Sequence, residues 1–147
     1  MMNLLNTLNK ALSGMFALVV ASAVVAGEAP PPESIDGTTR VSAPQVVELV
    51  EKLGDKLVII DSRKKEDRQA AGWIPSSVGL PDYDTTPETL AKNIPSKDTD
   101  VLFYCNGTKC GRSVKTAMMA VQEGYKHVYW FRGGWEEWSK EGLPVEK

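Results

Sequence analysis

The two cysteines of this 147-residue chain lie in one short segment, Val101-Leu-Phe-Tyr-Cys-Asn-Gly-Thr-Lys-Cys-Gly-Arg-Ser113. A cysteine becomes a nucleophile when its thiolate is stabilised by cations, by a helix N-terminus or by converging backbone amides. Cys105 follows an apolar run of strand-forming residues, and an amphipathic pattern begins at Arg112. Lys109 and Arg112 bring positive charge to the intervening loop, while Gly107 and Gly111 allow its amides to turn inward. Such a cradle suits a thiolate, an anionic sulfur substrate or a sulfur-loaded cysteine. Asn106, Gly107, Thr108, Lys109 and Gly111 are the candidate substrate-binding residues.

Two thiols compete for the role of nucleophile. Position at a strand end favours Cys105, whereas Cys110, between Lys109 and Arg112, has the stronger electrostatic claim. Taking Cys105 as the nucleophile makes Cys110 a resolving thiol, able to close onto it. The alternative is a permanent Cys105–Cys110 bridge formed after export, although so small a loop gains little stability from one.

The elements that must position this loop follow from periodicity. Ser42, Pro44 and Gln45 form a helix-start signature, and Val46, Val47, Leu49, Val50 and Leu53 repeat at helical spacing up to Gly54. Lys56 to Ile60 reads as a buried strand ending at Asp61-Ser62-Arg63. A short helix over Glu66 to Ala71 and a brief strand over Ser76 to Leu80 come next. Pro87 to Asn93 is a helix capped by Thr86, Val101 to Tyr104 a strand, and Arg112 to Glu123 a helix. His127 to Phe131 is the last strand, and Trp135 to Lys140 a closing helix. Alternation of this kind predicts an α/β fold, a central parallel sheet with helices on both faces. Ligands of such sheets gather at the carboxyl ends of the strands, where Cys105 lies.

With these elements and this loop, the chain resembles the rhodanese-like (thiosulfate sulfurtransferase-like) family. Three markers carry the resemblance, which spans Arg40 to Lys147. They are Val58-Ile-Ile-Asp-Ser-Arg63 with Gly72-Trp-Ile-Pro75, then Phe103-Tyr-Cys105 with Arg112-Ser113, then Phe131-Arg-Gly-Gly-Trp135 with Trp138. The resemblance implies that Cys105 carries sulfur as a persulfide, stabilised by loop amides and Arg112, without metal or organic cofactor. It implies small sulfur partners (thiosulfate, a persulfide or a thiol) and a structural ion pair of Asp61 with Arg63. Two departures stand out. The loop from Asn106 to Gly111 is longer than the usual one, in the pattern Cys-x-Gly-x-x-Cys-x-Arg-Ser, and Trp73 stands where a histidine is common. A non-catalytic binding module and a dithiol/disulfide redox protein remain the alternatives.

Other chemistries fit less well. Two cysteines and one histidine, His127, fall short of a zinc ligand set. A phosphatase would need a tighter loop. Net charge is −2, and no block of Lys and Arg exists to follow a phosphate backbone, so nucleic acid is not an expected partner. Trp130, Phe131 and Trp73 are candidates to wall the pocket near Cys105.

The N-terminus has a different character. A single basic residue, Lys10, precedes an apolar run from Ala11 to Ala26 that ends in small residues, the order of a signal peptide over residues 1–26. The run is shorter than the roughly 20 residues of a spanning helix. The expectation is therefore an exported protein of a bacterial periplasm, membrane-anchored only if this segment is retained. Residues 27–39, with Pro30-Pro31-Pro32, read as a disordered linker before a domain over residues 40–147. Nothing in the sequence defines an oligomeric state.

Overall fold

The computed structural model describes residues 29–147, so the expected signal peptide lies outside the described residues. Five parallel strands form one sheet: β1 (Thr38–Arg40), β2 (Leu57–Asp61), β3 (Val78–Gly79), β4 (Asp100–Tyr104) and β5 (His127–Phe131). Their order across the sheet is β1-β5-β4-β2-β3, which puts β4 at the centre. The helices are α1 (Ala43–Leu53), α2 (Lys65–Ala71), α3 (Pro87–Asn93), α4 (Arg112–Gln122) and α5 (Gly134–Lys140).

Strand β4 shows why the architecture has three layers. Side chains alternate across a strand, so Val101 and Phe103 enter a core with Leu90 of α3, Ile94 just past its end, and Ala117 and Ala120 of α4. Leu102 and Tyr104 enter the opposite core with Val46 of α1 and Trp138 of α5. With both faces covered, β4 has no polar side, and its apolar run is continuous. The parallel sheet and its helical layers match the α/β fold expected from the sequence.

Helix α1 is held at its start from two directions. Gln45 Oε1 accepts the Ser42 amide hydrogen at 2.8 Å, and Glu137 Oε1, reaching across from α5, accepts that of Ala43 at 2.7 Å. Both satisfy donors that a helix cannot satisfy internally.

The segment expected to be a disordered linker contributes to the fold. Thr38, Thr39 and Arg40 pair with Val128, Tyr129 and Trp130 as strand β1, and Ile35 is buried in the α3/α4-side core. Upstream, Arg132 Nε donates to the Pro32 carbonyl at 2.9 Å and its guanidinium pairs with Glu33 at 2.9 Å. Ordered packing therefore starts before Arg40. Among the described residues, no helix is long and apolar enough to cross a membrane.

Candidate active site

The central strand β4 delivers Cys105 to the carboxyl edge of the sheet. There the loop 105–111 is fastened to the start of α5. The Cys105 carbonyl accepts the Trp135 amide hydrogen at 2.8 Å, and the Asn106 carbonyl accepts that of Glu136 at 2.8 Å. Contact this close demands glycine. Gly134 has φ +55°, and a Cβ there would strike the Cys105 carbonyl oxygen. Gly107 is needed for a different reason, since a Cβ there would strike the Glu136 carboxylate. Gly111 is neither crowded nor in the left-handed region, so the expected steric role for it is absent.

Within the loop, Cys110 donates its amide hydrogen to the Gly107 carbonyl at 3.0 Å, closing a tight turn. Among the described residues, the amides of Asn106, Gly107, Thr108, Lys109 and Gly111 donate to no other protein group. Helix α4 starts at Arg112 without a side-chain cap, so its first amides also stay open toward the loop. Unfilled backbone donors at a helix start are the kind of feature that favours an anion.

The two sulfurs are joined as a Cys105–Cys110 disulfide with a Cα–Cα distance of 6.3 Å. Cys105 is 1% exposed, whereas Cys110 is half-buried. In this oxidised form Cys105 is shut off from solvent, and the loop holds no thiolate. Asn106 is tethered through Nδ2 to Asp67 of α2 at 3.1 Å, and Thr108 and Lys109 point into solvent.

Arg112 has a partner that sequence spacing does not reveal. Its Nη1 pairs with Asp82 Oδ1, in the 3-10 turn Asp82–Asp84, and Lys115 approaches the same carboxylate at 3.8 Å. The guanidinium is thus fixed at the edge of the loop by a residue remote in the chain. The only sequence signal at Asp82 is its place directly after the strand-ending Leu80-Pro81.

Asp61 and Arg63 form a buried, bidentate pair, with Arg63 Nη2 at 2.7 Å from Asp61 Oδ2. Two further groups converge on the same carboxylate: Arg68 Nη1 at 2.9 Å and the Tyr104 hydroxyl at 2.7 Å. Burial, reinforced by the Asp61 charge, pushes the Tyr104 phenol up from its ordinary pKa. Tyr104 adjoins Cys105, so this network anchors the strand end beneath the loop. Arg63 also lies under Trp135, 4.5 Å from the ring centroid, which ties the network to α5.

The aromatic wall expected near Cys105 does not form from Trp73, Trp130 and Phe131. Trp130 is buried in the α3/α4-side core, with Nε1 donating to Ser113 Oγ at 3.0 Å. Phe131 packs edge-on to Trp138 in the other core. Trp73 bridges to Glu146 near the C-terminus and lies beneath Arg68, at 4.4 Å. Strand alternation sends the first two inward, leaving the loop flanked by charged and small residues. His127 is exposed at the start of β5, far along the strand from the carboxyl edge.

Comparison with known proteins decides the family. The rhodanese-like domain model matches residues 45–141. The chain belongs to the rhodanese-like family. A sulfurtransferase of Allochromatium vinosum is 33% identical over 99 residues, covering 66% of this chain and 87% of that protein. A thiosulfate sulfurtransferase of Actinobacillus pleuropneumoniae is 28% identical over 110 residues, covering 74% and 93% respectively. The crystal structure of a Bacillus halodurans protein superposes with a TM-score of 0.63 at 25% identity, covering 74% of this chain and 77% of that one. In this rhodanese-like domain, the strand-ending Cys105 and the loop to Arg112 occupy the carboxyl edge of the sheet, next to the Asp61 network.

Proposed function

We propose that this rhodanese-like domain is an exported sulfurtransferase that works through a persulfide on Cys105. One observation carries the reading: the loop that follows Cys105, at the end of the central strand, leaves the amides of Asn106, Gly107, Thr108, Lys109 and Gly111 and the uncapped start of the next helix without protein acceptors. Such donors stabilise a sulfur anion without having to reorganise.

In the reduced protein, the Cys105 thiolate attacks the sulfane sulfur of thiosulfate. The donor's S–S bond breaks, sulfite leaves with the electron pair, and Cys105 holds a persulfide. A thiophilic acceptor such as cyanide then attacks the outer sulfur, leaves as thiocyanate and restores the thiolate. Loop amides hold the persulfide charge, and Arg112, positioned by Asp82, supplies the cation at the loop's edge. Sulfur-transfer names among the relatives support this chemistry, and the apolar N-terminal run supports export.

A redox reading has its own support in the Cys105–Cys110 disulfide. A persulfide on Cys105 can be resolved by Cys110: its thiolate attacks Cys105 Sγ, the disulfide forms and hydrosulfide leaves. The oxidised loop is then the product of one turnover, and two electrons from a thiol reductant restore it. Thiocyanate formation from thiosulfate and cyanide by reduced protein tests the proposal. Turnover by the wild type and none by Cys105→Ser is the expected result, and full activity in Cys105→Ser overturns the assignment.

A further inference from the structure

The proline segment at the N-terminal edge of the described chain lies against the active loop. Ala29 to Pro32 line a cavity of about 620 Å³ together with Thr108, Lys109, Gly111, Val114, Lys115 and Arg132. Arg132 holds this strap through the Pro32 carbonyl and Glu33, and Glu33 is pinned from the other side by Arg40 at 2.8 Å. The size matches a pocket for a small organic molecule and far exceeds the needs of thiosulfate.

The character of the lining narrows the ligand. Proline rings and Val114 offer apolar contact, while Lys109, Lys115 and Arg132 bring positive charge. Among the described residues Lys109 has no ion pair, and Lys115 meets Asp82 only at 3.8 Å. Asp82 is already engaged by Arg112, and Glu33 by two arginines. An organic anion is the complementary guest.

Location supplies the chemistry. Of the lining residues, Thr108, Lys109 and Gly111 are chain neighbours of Cys110, which is half-buried and adjoins the lining without belonging to it, whereas Cys105 is 1% exposed. We propose that the strap cavity binds a small carboxylate-bearing thiol, and that this thiol opens the disulfide by attacking Cys110. The thiolate bonds to Cys110 Sγ, the Cys105–Cys110 bond breaks, and Cys105 departs with the electron pair as a thiolate. A second thiol attacks the mixed disulfide, leaves as the oxidised dimer of the reductant and frees Cys110. The proposal rests on the sulfurtransferase reading only for what the released Cys105 does next.

The test uses the oxidised protein and three reductants: mercaptosuccinate (anionic), 2-mercaptoethanol (neutral) and cysteamine (cationic). Free Cys105 is trapped by iodoacetamide and peptides are mapped by mass, so the readout does not depend on sulfur transfer. Wild-type and Lys109→Gln/Lys115→Gln proteins are compared thiol by thiol, which cancels each reagent's intrinsic reactivity. The expected result is an adduct on Cys110, an alkylated Cys105, and a roughly tenfold loss of rate in the double variant for mercaptosuccinate alone. An adduct on Cys105, or equal losses for all three thiols, overturns the proposal. Absence of thiocyanate turnover alongside the expected adduct would sink the sulfurtransferase reading and leave the cavity's role standing.

Discussion

The Cys105 carbonyl accepts the Trp135 amide hydrogen at 2.8 Å, so the end of the central strand is fixed to the first turn of the closing helix. This bond explains how a sequence-distant Gly-Gly-Trp element bears on a cysteine loop. It also leaves the loop amides other than that of Cys110 free, because the bonds to the closing helix use the loop's carbonyls.

Gly134 is the weak point of that junction. Its backbone has φ +55°, and a Cβ would meet the Cys105 carbonyl oxygen. Gly134→Ala should destabilise the domain by about 2 kcal/mol from left-handed backbone and steric conflict together. Denaturant unfolding measures this. An unchanged midpoint would show that the junction yields without cost.

Asp61 collects two guanidinium groups and one phenol in a site shielded from water. Asp61→Asn leaves Arg63 buried without its counter-charge, with an expected cost of about 3–5 kcal/mol. Thermal and urea unfolding would register it, and a loss within error of an average surface substitution would refute the anchoring role.

Tyr104 makes a pH prediction. Its phenol is pushed up by burial beside Asp61, so the folded state keeps the proton where the unfolded chain loses it. The stability tied to that proton is complete below the unfolded value, about 10, and declines as pH rises above it. Tyr104→Phe should lose stability at neutral pH through the missing hydroxyl contacts, yet show a shallower decline above about pH 10. Parallel stability curves for the two proteins would contradict this.

Asp82 holds Arg112 at the loop's edge, with Lys115 farther off the same carboxylate at 3.8 Å. Asp82→Asn should raise KM for thiosulfate severalfold with kcat changed less, because it loosens the cation without removing it. Arg112→Gln should lower kcat/KM by roughly 10²-fold, in the range of losing one charge-stabilising donor. Steady-state kinetics on reduced protein separates the two, and identical effects would deny Asp82 a positioning role.

Much of this architecture was legible in the sequence because buried strands and helices write their own periodicity. The Val101–Tyr104 and His127–Phe131 runs are continuous because both faces of the sheet are covered. Strand β1 was not legible. It is three residues long, mostly exposed and polar, and exists through its pairing with β5. The strap was hidden for a similar reason: prolines carry no periodic signal, and its position depends on Arg132, far along the chain. The Asp82–Arg112 pair likewise needs the fold to bring its ends together. Trp130 and Phe131 misled as a pocket wall because a residue near a strand's end still obeys the inward alternation of the sheet.

The proposed persulfide on Cys105 can be weighed directly. Reduced Cys110→Ser protein, in which no bridge can form, should be incubated with thiosulfate, digested and mapped by mass under non-reducing conditions. The expected result is one added sulfur atom on the peptide containing Cys105, discharged by cyanide and absent from Cys105→Ser protein. A Cys105 peptide of unchanged mass under conditions where thiocyanate is still formed would contradict it.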